Sequence, residues 1–534
     1  MGVFLYLSII PERIKAKDWK AVYNESLLLL ENYPFLNRVE DSYCGIRRIY
    51  AQRSAHDPYS GSWDSYGDMR TGANTEWFGL RDDIETYQKR NRGYLTETDW
   101  DVLLESVEDC PVEHPEAVSV WANKTQGEDS HIYLLAIGCL ICHRFPDAAH
   151  IWGDISAGQC RRAVRWANQF LPQPIDVPTT ADMHRLLPRL LRAGIPEEEL
   201  LRTFYSLTLQ GKNRTMGTYL REMLPEQVFY RHYRKHLKPY ERCEGQVYLQ
   251  WRVLKEYLEL GFDFQALCRM VMVDPEGNQL TPREFLRKLL GMKLHVEEKE
   301  TYDYTKSPRE WGDSEAVDHI SAQFSRIFGL MSGASNVNVN TYIPLEQICA
   351  DFREILENRC DAEALAKDIL RELAESEKNE SAQRMFYDDP ESRFVKLAEE
   401  HQKLKEELAQ YDITSYDDLM NFAEGKSVFP KLHESLKGNF EKLHTFGIQA
   451  MEELSPLGRV EREIWFLNRY QIMITKELQK LIFERIMDDT FIQRYAALYC
   501  VDCKSDKIYK LIRALLWNPV LLNYYWELTY ERHA

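Results

Sequence analysis

The sequence lacks the short motifs that identify common enzyme classes. It contains no Gly-x-Ser-x-Gly nucleophile elbow, no His-Glu-x-x-His zinc helix and no Walker phosphate loop. Its 14 histidines are scattered along 534 residues, and no group of them suggests catalytic bases or metal ligands. We therefore predict no cofactor and no metal, and the sequence favours a protein that is not an enzyme.

Long apolar runs are missing as well. The longest, Tyr133 to Cys142, has about half of the ~20 residues that a membrane-spanning helix needs. The apolar stretch from Met1 to Ile10 has no basic leader and stops at Pro11, which is typical of a buried strand rather than a signal peptide. We expect no membrane contact, a cytoplasmic location and reduced cysteines.

The chain has fewer basic than acidic residues. The chain has 67 lysines and arginines against 84 aspartates and glutamates, which gives a formal net charge of −17. Such a charge repels nucleic-acid phosphates and attracts basic proteins. We therefore expect a basic protein partner and do not expect nucleic acid.

The order of patterns predicts an α+β protein that is predominantly helical. Val3–Ile10 is strand-like, and strand-like runs at Ala117–Trp121 and Ala148–Trp152 flank an apolar helix at 131–142. Residues 1–175 therefore read as an α/β domain with a mixed, partly parallel sheet. Helix signals dominate afterwards. The predicted segments are a helical block at 176–295, a linker or exposed loop at 296–316, and a C-terminal helical domain at 317–534.

Helix pairs in the later segments resemble αα-hairpins, which stack into solenoids in other proteins, although no fixed repeat period is present. Thr281 and Glu284 form a capping-box pattern at one helix start. Apolar residues at three-to-four spacing predict one long amphipathic helix from Arg459 to Met487.

One pattern occurs twice, as an aromatic residue followed by Gly-Asp, an apolar residue, two further residues and Gly. The copies are 66–72 and 152–158, and the second stands between a strand-like run and a helix start. α/β proteins often place ligand chemistry at such a junction. Ser156 and Gln159 fit a capping box for a helix that continues to Leu171.

The second copy predicts a candidate anion site. Backbone N–H groups at a helix start can hold an anion, and the helix dipole disfavours the cations Arg161 and Arg162 in the first turns unless an anion balances them. The alternative is an ordinary capped helix whose arginines face solvent or pair with acids elsewhere. The candidate ligand-binding residues are Gly153, Asp154, Ser156, Arg161 and Arg162.

Two cysteine pairs have metal-like spacing. Cys139, Cys142 and His143 fit the C-x-x-C-H haem expression, but they lie in an apolar run that favours buried core thiols. Cys500 and Cys503 form a second C-x-x-C, and the two pairs together would supply four zinc ligands only if the fold joined them. Packing is the interpretation we prefer for both pairs.

Residues 229–238 form a basic and aromatic run. Such interleaving can stack bases and contact phosphates, which would suit an RNA-associated helical scaffold. On a helix, however, Phe229, Tyr233 and Leu237 share one face, which is typical of a packed surface helix.

Three hypotheses about function follow. The first is a non-enzymatic acidic interaction protein, of the inhibitor, immunity or adaptor type, that binds a basic protein partner. The second is an enzyme or small-ligand binder with an anion site at 153–162. The third is an RNA-associated scaffold that uses 229–238.

Overall fold

The computed structural model describes most of the chain. The described residues are 2–35, 37–43, 46–52, 56–57, 61–68, 73–88, 100–110, 117–237, 244–299, 307–319, 322–324, 338–384, 443–469, 474–501 and the positions 512, 515, 516, 522, 523 and 526.

Strands are short and few compared with helices. In chain order the strands are β1 Phe4–Ile9, β2 Asn37–Tyr43, β3 Ile46–Gln52, β4 His56–Asp57, β5 Ser62–Asp68, β6 Ala73–Arg81, β7 Val118–Lys124, β8 Ala149–Gly153 and β9 Ile474–Thr475. The α-helices are α1 Ala16–Glu31, α2 Glu85–Gln88, α3 Ser130–Arg144, α4 Ala157–Ala167, α5 Met183–Arg192, α6 Glu197–Leu207, α7 Arg214–Met223, α8 Glu226–Leu237, α9 Glu244–Glu259, α10 Phe264–Cys268, α11 Pro282–Gly291, α12 Pro308–Trp311, α13 Leu345–Ile355, α14 Ala362–Arg384, α15 Leu443–Leu454, α16 Arg459–Asn468, α17 Lys476–Glu484 and α18 Asp489–Tyr499.

The predicted fold class is confirmed, since the described residues form many helices and only short strands in small sheets. A π-helix at Arg269–Val273 follows α10 directly. No helix in the described ranges combines the length and apolarity that crossing a bilayer requires.

The chain forms two compact units that alternate along the sequence. The first comprises Met1–Ile14, Tyr87–Ala122 and Leu135–Phe394, and the second comprises Lys15–Thr86, Asn123–Leu134 and Val395–Ala534. The four consecutive segments proposed from the sequence stay a prediction.

The first unit contains a small sheet with the strand order β7-β1-β8. β1 and β8 pair antiparallel, with Leu5 opposite Gly153 and Ile9 opposite Ala149. The parallel pairing expected within residues 1–175 is not assigned to particular strands, so this antiparallel pair leaves it a prediction.

The rest of the first unit is built from helices around one apolar core. Phe204, Tyr233 and Phe285 are completely buried, because their helices each turn an apolar stripe inward. Part of the predicted linker belongs to this packed structure: Ser307 and Glu310 form a capping box at α12, and the residues after α12 contact α4.

The second unit contains two small sheets and a helical core. β2, β3 and β9 form one sheet, in which β3 pairs antiparallel with β2 and parallel with β9, and β4, β5 and β6 form the other. The core of α15 to α18 also includes Ile512, Leu515 and Trp526.

The single long helix predicted from Arg459 to Met487 is wrong. Helix α16 ends at Asn468, and α17 begins at Lys476. Between them Ile474 and Thr475 are extended and pair with Tyr50 and Ala51. Both residues are β-branched and favour strand geometry, which the helical spacing of apolar residues concealed.

Candidate functional site

The strand–helix junction at 153–162 is the site that the sequence singled out. Gly153 ends β8 with a φ of 123°, and a Cβ there would stand 2.5 Å from the Phe4 carbonyl oxygen. Asp154 pairs with β1 at the same point: its backbone N–H donates to Phe4 O (2.9 Å), and its Oδ2 accepts from Phe4 N (2.8 Å). The Gly-Asp pair therefore terminates a sheet.

The same backbone requirement appears in the first copy of the pattern. Gly67 has a φ of 82° and lies at an irregular register between β5 and β6. Left-handed backbone favours glycine in both places. Positions 69–72 of that copy lie outside the described residues.

The predicted capping box of α4 is present. Gln159 N donates to Ser156 Oγ (3.1 Å), and Ser156 N donates to Gln159 Oε1 (3.2 Å). Both side chains also bond to residues far along the chain, since Ser156 Oγ donates to Ser314 O (2.7 Å) and Gln159 Nε2 donates to Ala316 O (2.6 Å).

Residues 312–316, hereafter the covering segment, lie against the start of α4. Gly158 N donates to Gly312 O (2.9 Å), and Ala157 N donates to Leu209 O (2.9 Å). A Cβ at Gly158 would meet the Asp313 and Ser314 carbonyl oxygens at 2.4 and 2.3 Å. The N–H groups that an anion would use are thus engaged by the chain's own carbonyls.

The arginines of α4 face acids of the covering segment. Arg161 Nη2 lies 2.9 Å from Asp313 Oδ1, and Arg165 Nη2 lies 2.8 Å from Glu315. Arg162 Nη1 donates to Glu315 O (3.4 Å). These carboxylates supply the negative charge that cations near a helix start require. The structure brings Ser156, Arg161 and Arg162 to one segment, whereas Asp154 bonds to β1. The anion site itself stays a prediction.

Residues 229–238 lie on α8 up to Leu237. Phe229, Tyr233 and Leu237 are buried on one face. The cations on the other faces meet carboxylates: Arg231 pairs with Glu197 (3.2 Å), Lys235 with Glu199 (3.2 Å) and Arg234 with Glu276 (2.8 Å).

The structure describes both cysteines of the first C-x-x-C pair but only one of the second. Cys139 and Cys142 are buried on α3, and burial raises the pKa of both thiols. Cys500 is half-buried, and Cys503 lies outside the described residues. Within the described ranges, no group of three or more potential ligands has metal-binding geometry.

A serine–histidine contact was not foreseen from the sequence. Ser106 Oγ lies 2.8 Å from His150 Nε2, and Asp101 is nearby. Burial and then the positive charge of Arg189 lower the pKa of His150 to about 3. Asp101 binds Arg189 through both carboxylate oxygens (2.5 and 2.7 Å). A base this weak does not activate a serine, so the contact reads as part of the folded core.

A second candidate site is a pocket in the helical part of the first unit. Its cavity is about 260 Å³, and α7, α8, α9, α10 and the π-helix contribute to it. We call it the aromatic pocket. It is lined by Arg221, Leu224, Glu226, Phe229, Tyr230, Tyr257, Phe262, Asp263, Ala266 and Met270.

Two glycines bring the elements of the aromatic pocket together. Gly217 of α7 lies so close to Leu260 that a Cβ would meet Leu260 O at 1.8 Å. Gly261 has a φ of 68° and reverses the chain after α9. This turn buries Phe262 and leaves Asp263 exposed, where its Oδ1 caps α10 by accepting from Ala266 N (2.6 Å).

The floor of the aromatic pocket consists of buried apolar side chains. Phe229 and Phe262 have ring centroids 4.8 Å apart with planes at 45°. Tyr257 and Phe262 lie 5.4 Å apart at 68°. Because the rings are steeply inclined, they do not stack into one flat wall. Leu224 and Met270 complete the floor.

Charged side chains stand at the open side of the aromatic pocket. Glu226, Asp263 and Arg221 are exposed, and none of them forms an ion pair with another described residue. Burial raises the pKa of Tyr257, the Asp263 carboxylate raises it further, and Glu226 adds to the effect. The opening thus carries two carboxylates and one guanidinium.

The sequence did not predict the aromatic pocket, because five separate elements contribute to it. Only Phe229 and Tyr230 belong to a run that the sequence marked. Comparison with protein-family models, with curated proteins and with solved structures finds no match to this chain.

Proposed function

We propose that this chain is a non-enzymatic interaction protein that binds a basic segment of a protein partner, and that the aromatic pocket anchors one side chain of that segment. The observation that carries the proposal is the pairing of an apolar floor with Glu226 and Asp263, two carboxylates that have no ion-pair partner among the described residues. A net charge of −17 adds long-range attraction for a basic partner.

The size of the aromatic pocket supports a side chain as its occupant. Its volume of about 260 Å³ is below the range of about 300–1,000 Å³ that is usual for sites of drug-sized ligands. One large side chain fills such a space. Buried aromatic surface next to charged groups is also typical of the anchor points of protein interfaces.

A peptide-display selection tests this proposal. The immobilised wild-type protein should enrich random peptides that are rich in lysine and arginine, and the enrichment should weaken at high salt. The double variant Glu226→Gln/Asp263→Asn should lose the enrichment. Glu297→Gln/Glu298→Gln is the matched control, because it removes the same charge from exposed residues that do not line the pocket. Enrichment of uncharged or acidic peptides would refute the proposal.

An anion-binding function at 153–162 remains the second candidate. Arg161, Arg162 and Arg165 lie on one stretch of α4, which supports it, but a bound anion would have to replace the covering segment. A thermal-shift series with phosphate, nucleotides and carboxylates tests it, since a ligand of the folded state raises the midpoint. The same series with Asp154→Ala shows whether Asp154 contributes.

A further inference from the structure

We infer that the side chain held by the aromatic pocket is an N-alkylated lysine, whose quaternary or highly methylated ammonium lies against the rings of Phe229, Tyr257 and Phe262. This inference rests on the proposed function, because it names the group that the basic partner presents. It follows from the chemistry of the pocket floor and from the charges at its opening.

The floor favours a cation that donates no hydrogen bonds. An unmodified lysine ammonium has three N–H donors, which need acceptors once they leave water. The floor offers aromatic rings and the Leu224 side chain, with the fully buried Met270 behind them. A trimethylammonium group has no N–H to satisfy and is bound well by aromatic faces.

The ring arrangement suits a rounded cation better than a flat group. Phe262 is inclined by 45° to Phe229 and by 68° to Tyr257, so these rings approach the cavity from different directions. Each face carries negative charge density that attracts a cation. A planar aromatic or guanidinium group could stack face to face with only one of these inclined rings.

The charges at the opening allow a cation and discriminate against an anion. Glu226 and Asp263 attract an ammonium group, and Arg221 opposes it. The pocket lining therefore has a net charge of −1. Removing Arg221 should strengthen the binding of a cation and weaken the binding of an anion, so this residue reports the sign of the occupant.

Three peptides that differ in one side chain test the inference. Each is the same short Lys- and Arg-rich peptide, and the variable position carries trimethyl-lysine, its neutral tert-butyl isostere or unmodified lysine. Fluorescence anisotropy should show that the full-length protein binds the trimethyl-lysine peptide about tenfold more tightly than the other two. Equal affinity for the isostere or for lysine would overturn the inference.

Variants of the pocket sharpen the result. Phe262→Leu keeps apolar volume and removes one ring, so it should bring the trimethyl-lysine affinity close to that of the isostere. Glu226→Gln, at an exposed position, should weaken trimethyl-lysine binding without disturbing the core. Arg221→Gln should strengthen it; weaker binding by that variant would contradict a cationic occupant.

The outcome also separates this inference from the proposed function. Salt-dependent binding of all three peptides with equal affinity would leave a basic partner in place and remove the alkylated lysine. If none of the three peptides bound, or if salt did not weaken their binding, the proposed function itself would be refuted.

Discussion

Arg161 of α4 and Asp313 of the covering segment form an ion pair of 2.9 Å across 152 residues of sequence. The two side chains are 39% and 60% exposed, and exposed pairs contribute only about 0–1 kcal/mol. The close backbone contact at Gly158, with the Asp313 and Ser314 oxygens within 2.5 Å of a hypothetical Cβ, is therefore the main constraint on this segment.

Gly158→Ala should displace the covering segment, because neither carbonyl oxygen lies on a flexible side chain. Overpacking of this kind costs about 1–3 kcal/mol, which exceeds the gain of about 1 kcal/mol from replacing glycine by alanine in a helix. Hydrogen exchange should accelerate in peptides that cover 157–162 and 312–316. Asp313→Asn is the control and should leave exchange nearly unchanged; the reverse pattern would show that the ion pair holds the segment.

The buried pair Asp101–Arg189 should matter far more for stability. The side chains are 13% and 9% exposed, and Arg189 Nη1 also donates to Pro146 O (2.8 Å). Asp101→Asn keeps an acceptor for Leu103 N but removes the charge, so we expect a loss of about 3–5 kcal/mol in the free energy of unfolding. Urea denaturation measures it. A loss as small as that of Asp313→Asn would contradict this reading.

The sequence predicted those features that depend on neighbouring residues. The capping boxes at Ser156 and Thr281 and the buried face of Phe229, Tyr233 and Leu237 are all present, because spacing along one helix determines each of them. Contacts between distant segments were not predictable. Nothing near Arg161 in the sequence indicates that Asp313 is its partner.

The antiparallel pairing of β1 with β8 and the break between α16 and α17 could not be predicted from the sequence, because both depend on distant segments. Strand direction depends on the path of the intervening chain, and Ile474 becomes a strand because Tyr50 is available to pair with it. The aromatic pocket likewise arises where Gly217 and Gly261 let separate helices meet, and a single sequence does not reveal such approaches.

Acidification should destabilise the protein through two buried histidines. Burial lowers the pKa of both His150 and His232 to about 3 from an ordinary value of 6.5. Below about pH 6.5 the unfolded chain binds a proton at each, whereas the folded chain does not until near pH 3. Each histidine should therefore lower the free energy of unfolding by about 1.4 kcal/mol for every unit by which the pH is reduced.

Urea denaturation between pH 6.5 and 5 measures this effect, to which His236 and His295 add with the same sign because burial lowers their pKa as well. The carboxylates whose pKa is lowered, such as Glu199 and Asp274, titrate below their ordinary values of 4.5 and 3.8 and contribute little in that window. His232→Gln should reduce the pH dependence of the free energy of unfolding by the contribution of one histidine. A slope that this substitution leaves unchanged would show that the folded protein protonates His232 readily.

Asp263 should show separable contributions to stability and binding. Asp263→Ala removes both the cap of α10 and the charge at the aromatic pocket, and it should cost about 1 kcal/mol of stability. Asp263→Asn retains a capping oxygen and should cost much less. Both variants should bind a basic peptide equally weakly. If Asp263→Asn bound like the wild type, the carboxylate would have no part in recognition.

The most direct measurement is photo-crosslinking of a basic peptide that carries a benzophenone side chain, with mass-spectrometric mapping of the attachment point. The proposed anchor predicts attachment at Leu224 or at the neighbouring aromatic residues of the pocket, and its loss in Glu226→Gln/Asp263→Asn. Attachment elsewhere on the protein, or attachment to the pocket that persists in this variant, would contradict the account.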